Sequence, residues 1–362
     1  MRIVVDVMGT PMASGGMNLY ARELLTAWAE EVPEDTLILV GGEWVTALAA
    51  AHPGRIVARV VRGESILSRF WTQLVRSGLI ARREHADALL SLSPIAAFTF
   101  DADREAAVVH DWRHLRRPEE FGRFQRLYRR LWIPSLRRVR TAIAISEKTD
   151  AETKEFAVGA NSLVVRNGGD HPRHWPRVEP APGGPARVLT YGHFVNKRPE
   201  AVIEAIALLR DGGTPARLTV LGAKGAYQEG LAELAAARGV SELVRFPGFV
   251  EDAEYQELLQ RSDVVVLNSS DEGFGLPVVE ARYFGIPVVA AADSGLSEIH
   301  GDSIVVSDPS AAPLAEAIGA AAAAGRARPA TLRTWGDTAR EIRASLQSKT
   351  SAVRSSRGTE ER

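Results

Sequence analysis

Apolar positions come in short continuous runs along this chain. In the first half the runs are Ile3–Val7, Thr36–Val40, Ile56–Val61, Ala88–Leu92, Ala106–Val109, Ala142–Ile145 and Leu163–Val165. In the second half they are Arg187–Thr190, Arg217–Leu221, Leu243–Phe246, Val264–Leu267, Pro287–Ala290 and Ile304–Val306. Near-continuous apolar runs of this length predict strands covered on both faces. Amphipathic segments lie between them, among them Leu19–Trp28, Pro199–Leu209 and Ala253–Gln260, and predict helices. Strand and helix in alternation predict a parallel, doubly wound sheet, and two sets of strands predict two sheets.

Length agrees, because 362 residues make about two domains. From Asn167 to Pro185 the chain holds five prolines and no strand or helix period, which reads as an interdomain linker. The expected domains are 1–172, joined by a final helix at about 331–346, and 173–330; the polar tail 347–362 reads as disordered. Met1–Val7, interrupted by Asp6, reads as a first strand and not as a signal peptide. No apolar run approaches the ~20 residues that span a bilayer.

Composition removes several chemistries. With no cysteine the chain has no disulfide scaffold, thiolate nucleophile or iron–sulfur cluster. That fits a reducing cytosol, and no cluster of metal ligands stands out. A net charge of −1 argues against a dedicated nucleic-acid binder.

Ligands of open parallel sheets bind beyond the carboxyl ends of strands, so the segments after strands matter most. After Val264–Leu267 comes Asn268-Ser269-Ser270-Asp271-Glu272-Gly273-Phe274-Gly275-Leu276-Pro277-Val278-Val279-Glu280-Ala281. Gly273 and Gly275 permit close backbone approach, and Pro277 suits the first position of a helix. The amides ahead of that helix form a seat for pyrophosphate. Glu272 in the loop and Glu280 in the first helical turn are poor phosphate ligands and good acceptors for sugar hydroxyls. Each alone reads at least as well as a solvated acid or a helix-dipole partner; together, in this setting, they favour a sugar site.

The run Glu272-Gly-Phe-Gly-Leu-Pro-Val-Val-Glu280-Ala resembles the Glu-x7-Glu signature of the family 4 retaining glycosyltransferases. Further stations in the same order resemble that family: Gly15-Gly16 before a helix, Val109-His110-Asp111, Arg166-Asn167-Gly168, Lys197-Arg198-Pro199, Gly285-Ile286-Pro287, Gly295 with Glu298, and Trp335 opening a final helix. The resemblance implies the GT-B architecture, two Rossmann-like domains facing a cleft. It implies a sugar moved with retention from a nucleotide-diphosphate donor (UDP-, GDP- or dTDP-linked) to an acceptor hydroxyl on a glycan, lipid-linked or small molecule; since no metal-ligand cluster stands out in the sequence, no metal or other cofactor is expected to be required. By the same resemblance Glu272 holds the transferred sugar and Glu280 the ribose. The amides of Gly273, Phe274, Gly275 and Leu276 line the pocket. Lys197 neutralises the pyrophosphate, Gly16 lets a first-domain helix approach it, and His110 sits by the reacting sugar. Where the family often carries Gly-Arg, this chain reads Tyr191-Gly192-His193-Phe194. A neutral His193 does not replace a permanent charge, so Arg198 becomes the neighbour to supply it.

Local charge changes the picture once more. From Arg113 to Arg140 there are ten arginines and two acids, a +8 segment against −9 for the remainder. Arg123, Arg126 and Arg130 are candidates for an acceptor or anionic-membrane face, against the plainer reading of a solvated helix paired with acids. The helix Ser65–Arg83 is a second candidate. The expected location is the cytoplasm, including the inner face of the membrane. The alternatives are a pseudo-glycosyltransferase coupling a cyclitol-type donor, a nucleotide-sugar epimerase, and a catalytically silent scaffold.

Overall fold

The computed structural model describes residues 1–11, 15–62, 65–179, 183–295 and 301–347. Glu298, Pro180, Pro182 and the tail from 348 lie outside the described residues. The chain divides into two compact units, one of 1–168 with 333 onward, the other of 169–332.

The first unit is built on β1 (Arg2–Asp6), β2 (Thr36–Gly41), β3 (Ile56–Val60), β4 (Ala88–Ser91), β5 (Glu105–Val109), β6 (Thr141–Ala144) and β7 (Ser162–Val164). The order across the sheet is β3-β2-β1-β4-β5-β6-β7, and every pairing is parallel. The second unit carries β8 (Ala186–Tyr191), β9 (Ala216–Leu221), β10 (Val244–Gly248), β11 (Val264–Leu267), β12 (Val288–Ala291) and β13 (Ile304–Val306). Their order is β10-β9-β8-β11-β12-β13, again parallel throughout. Each apolar run of the sequence is a strand. Ile3, Val4, Val5, Leu89, Leu90, Val264, Val265 and Val266 are fully buried, as central strands under helices must be.

Parallel strands require crossovers, and the crossover helices close the cores. In the second unit Val202, Ile203 and Ile206 of the helix Pro199–Asp211, with Leu314 and Ile318 of the helix Ala311–Ala324, pack on Val188, Leu218, Val220 and Val266. Each such side chain contributes about 1.5–3 kcal/mol of burial. The final helix, Trp335–Gln347, belongs to the first unit. Trp335 meets Tyr20 edge-on at 5.4 Å, and Arg343 Nε donates to buried Asp35 at 2.8 Å. The chain can turn into this helix because a Cβ on Gly168 would lie 2.4 Å from the Trp335 nitrogen.

Two expectations change. The proline-rich stretch is not a loose linker: the units part at Gly168/Gly169, and the prolines beyond that point belong to the second unit. His171 and Pro172 are buried, Trp175 lies against Phe284, and Gln260 donates to the Pro176 carbonyl at 2.9 Å. Prolines removed the regular hydrogen bonding but not the packing. The helix Ser65–Arg83 is interrupted by a π turn over Thr72–Arg76, between α-helical Ile66–Trp71 and Ser77–Arg83.

Asp6 ends β1 at the point where strand order reverses. Its carboxylate is fully buried, accepting from the Met8 amide at 2.9 Å and from the Ser77 hydroxyl. Burial pushes its pKa up to about 6, against the pull of those two hydrogen bonds. A carboxyl raised in this way favours the fold fully below its unfolded pKa, and that contribution is lost as pH rises through about 6. The isosteric Asp6→Asn therefore gains on the wild type by up to about 3 kcal/mol between pH 4 and pH 7. Melting temperatures of the two proteins across that range check this; parallel curves would contradict it.

Candidate functional site

β8 and β11 are neighbours at the reversal of strand order in the second sheet. Such a reversal opens a crevice beyond the carboxyl ends of the two strands. After β8 the chain passes a 3-10 turn, Val195–Lys197, and enters the helix Pro199–Asp211 with Arg198 left-handed at φ 49°. After β11 it runs from Asn268 to Gly275 and enters the helix Leu276–Tyr283. Gly275 caps that helix at φ 84°, a conformation that glycine adopts without strain. The two loops are tied backbone to backbone and by an amide: Ser270 N–H donates to the Asn196 carbonyl at 2.9 Å, and Asn196 Nδ2 donates to the Asp271 carbonyl at 2.9 Å. Glu272 N–H donates to the Ser294 carbonyl at 3.0 Å, which brings in the turn after β12.

Lys197 and Glu272 meet where these loops join. Lys197 Nζ donates to Glu272 Oε1, and both side chains are largely buried. Burial pushes the Glu272 carboxyl up, but the charge and hydrogen bond of Lys197, together with smaller contributions from Ser269 and His193, hold the carboxyl below its usual range. Arg198 is engaged as well. Its Nε donates to the Asn268 carbonyl at 2.7 Å, and its other two nitrogens grip Asp293 at 2.9 and 2.7 Å. His193 lies half-buried against Phe194, ring centroids 4.8 Å apart. Phe274 and Gly275 are buried; Gly273 and Leu276 are partly exposed.

Glu280 differs from expectation. The helix starts at Leu276, so Pro277 is its second residue and Glu280 falls in the second turn, with no acid in the first. Glu280 is 2% exposed and serves no helix dipole. His171 Nε2 lies 2.9 Å from one of its oxygens, and the Tyr255 hydroxyl donates to the other. Tyr191 completes the chain, 3.2 Å from Tyr255 hydroxyl to hydroxyl. Burial, then the charge of Glu280, pushes Tyr255 well up, so it stays a donor. A carboxylate offers about four acceptor positions, of which these contacts use two. Sequence reasoning missed His171, Tyr191 and Tyr255. For His171 the signal was a histidine in a proline-rich stretch; for the tyrosines there was none beyond their hydroxyls.

The remaining expected residues belong to the first unit. Gly16 opens the helix Gly16–Glu31. His110 follows β5, is 8% exposed, and has Tyr20 edge-on at 4.9 Å. Its Nε2 sits 3.1 Å from the Leu92 carbonyl and must donate, since a carbonyl only accepts. Burial lowers its pKa against that hydrogen bond and Asp111, so the ring is neutral and Nδ1 is an acceptor. The basic segment is divided. Arg113 pairs with Glu120, Arg116 with Glu152 and Glu155, Arg129 with Asp111, and Arg138 with Glu105. Arg123, Arg126 and Arg130 are exposed and make no ion pair among the described residues.

Among the described residues no three His, Asp or Glu side chains gather as a metal would require, and no helix is long and apolar enough to cross a membrane. Residues 173–339 match the family model of glycosyl transferases group 1, nearly the whole second unit. Over 199 residues the chain is 36% identical to glycogen synthase of Mycobacterium tuberculosis (strain ATCC 25618 / H37Rv), covering 52% of this chain and 48% of that one. The chain thus spans about half the length of that relative. Sucrose-phosphate synthase from Thermosynechococcus elongatus superposes with a TM-score of 0.68 at 19% identity, over 99% of this chain and 98% of that one. Anabaena Alr3699/HepE in complex with UDP-glucose gives 0.65 at 19% identity, over 98% and 100%. These likenesses establish the GT-B fold class, and with the family match they support a glycosyltransferase enzyme.

Removing Lys197 leaves Glu272 buried without its cation. Lys197→Met reverses the Glu272 shift, from below its usual value to above it. In the wild type the pair's contribution is present above the unfolded pKa and is lost as pH falls through the lowered one. The variant's penalty therefore grows as pH rises from 4 to 7, reaching on the order of 3 kcal/mol. Thermal melts across that range measure it, and a penalty independent of pH would contradict the pairing.

Proposed function

We propose that this chain is a retaining glycosyltransferase that moves a sugar from a nucleoside-diphosphate donor to an acceptor hydroxyl without a metal, as in family 4. The observation that carries the reading is the Lys197–Glu272 pair at the strand reversal, beside the amino end of the helix Leu276–Tyr283. A sugar diphosphate offers each member a partner: phosphate oxygens for Lys197, sugar hydroxyls for Glu272. Arg198, oriented by Asp293, adds a second cation beside Lys197. The amides from Gly273 to Leu276 add the helix end to the same anion. Glu280, held by His171 and Tyr255, accepts from the ribose.

In the step itself the bond from the anomeric carbon to the diphosphate oxygen breaks, and the acceptor oxygen bonds to that carbon on the same face. The acceptor proton passes to the departing phosphate. Lys197 and the helix end stabilise the charge that develops on the leaving group, the place where electrostatic help counts most. Neutral His110 serves the transferred sugar, and the first unit takes the acceptor. The UDP and UDP-glucose of the Anabaena structures make uridine donors the first to try.

A thermal-shift screen of UDP-, GDP- and dTDP-sugars identifies the donor, since a ligand at 100 times its dissociation constant stabilises by about 2.7 kcal/mol. With that donor, Glu272→Ala lowers turnover by on the order of a hundredfold. Glu280→Gln raises KM by about tenfold or more. Both variants keep a cooperative melt. Full transfer activity in either one would overturn the site.

A further inference from the structure

The surface of the first unit carries a feature to which the proposed step assigns no role. The helical segment 65–83 contains four arginines and no acid, and the segment 121–140 contains seven arginines and no acid. Solvated helices usually interleave both signs. Large apolar side chains stand out of the same two segments. Phe124 is 86% exposed, Leu67 80%, Ile66 69%, Trp71 63% and Leu127 60%. The segments touch: the rings of Phe70 and Tyr128 are 5.5 Å apart, and the Tyr128 hydroxyl donates to Gln73 Oε1 at 2.6 Å. Phe124 lies one turn from Tyr128, and Leu67 and Trp71 lie within one turn of Phe70. At 5.4 Å per turn, the five apolar groups belong to one neighbourhood. Arg123, Arg126 and Arg130 are exposed there and make no ion pair among the described residues.

We propose that this face docks on an anionic lipid bilayer. Its chemistry selects that partner. Aromatic and aliphatic side chains that project into solvent find no groove of their own to fill, but enter the boundary between headgroups and acyl chains. Unpaired arginines beside them meet lipid phosphates, and their stems lie along the apolar layer while the guanidinium groups stay at its surface. An acidic protein partner would use the arginines and leave five exposed apolar side chains without a role. Docking requires neither donor nor turnover, so it stands apart from the proposed reaction.

The full chain is sedimented with vesicles of phosphatidylcholine, with and without phosphatidylglycerol. It should pellet with the anionic vesicles only, and high salt should release it. Replacing Arg123, Arg126 and Arg130 together by Ser should weaken binding about a hundredfold, at about fivefold per arginine. The matching triple Lys variant should bind within about threefold of wild type, because a bilayer reads charge and not fork geometry. Trp71 fluorescence should shift to the blue on anionic vesicles, and Trp71→Phe should abolish the shift. Pelleting indifferent to phosphatidylglycerol would overturn the proposal. So would a triple Ser variant, melting like wild type, that binds equally well, or a Lys variant that loses binding.

Discussion

An ammonium and a carboxylate buried against each other, Lys197 and Glu272, constrain how the loops of the second unit can meet. Neither charge could be buried alone, since an isolated ion loses several kcal/mol of solvation. Their pairing therefore demands that the loops after β8 and β11 meet, although the residues stand 75 positions apart. The bonds from Ser270 to Asn196 and from Glu272 to Ser294 make that meeting rigid. The pair satisfies its charges until a ligand arrives. A diphosphate offers Lys197 two charges where Glu272 offers one, and freed Glu272 becomes an acceptor for hydroxyls. In the proposed reaction, the contact between Lys197 and Glu272 is the one exchanged for substrate.

Around Glu280 the second unit uses an imidazole and a phenol, with no lysine or arginine in hydrogen-bond contact among the described residues. His171 and Tyr255 orient both oxygens, and Tyr191 supports Tyr255. A carboxylate held by one contact on each oxygen keeps acceptor positions open, which suits the ribose hydroxyls of the proposed donor. The first unit solves its own buried-charge problem at Asp35. Burial raises that carboxyl, but Arg343 of the final helix and Trp28 of the first help to hold it down, so one acid ties the end of the unit to its beginning.

Strands were the most legible part of the chain. Continuous apolar runs such as Val264–Leu267 and Ala106–Val109 coincide with strands because central parallel strands are buried on both faces. Helix starts were less legible. Leu276 precedes Pro277 into its helix, which moved Glu280 out of the first turn and changed what its carboxylate can touch. The proline-rich stretch misled for a related reason: composition reports missing backbone regularity and says nothing of side-chain packing, so His171 went unnoticed. Lys197 and Glu272 were each legible from local context, but their contact was not, since it depends on strand order. The basic segment was legible only as a total. The structure separates arginines with acidic partners, such as Arg138 with Glu105, from the exposed ones.

The exchange at Lys197 is tested most directly by calorimetric titration of nucleoside diphosphate and nucleotide sugar into wild type, Lys197→Met and Glu272→Gln, using whichever of the uridine, guanosine and thymidine series binds. The account predicts that Lys197→Met loses affinity for both ligands. Glu272→Gln should bind the free diphosphate as tightly as wild type or tighter, because its lysine is released, and should lose only the increment that the sugar adds. If Glu272→Gln weakens the free diphosphate as much as Lys197→Met does, the two residues do not divide phosphate and sugar between them, and the central claim fails.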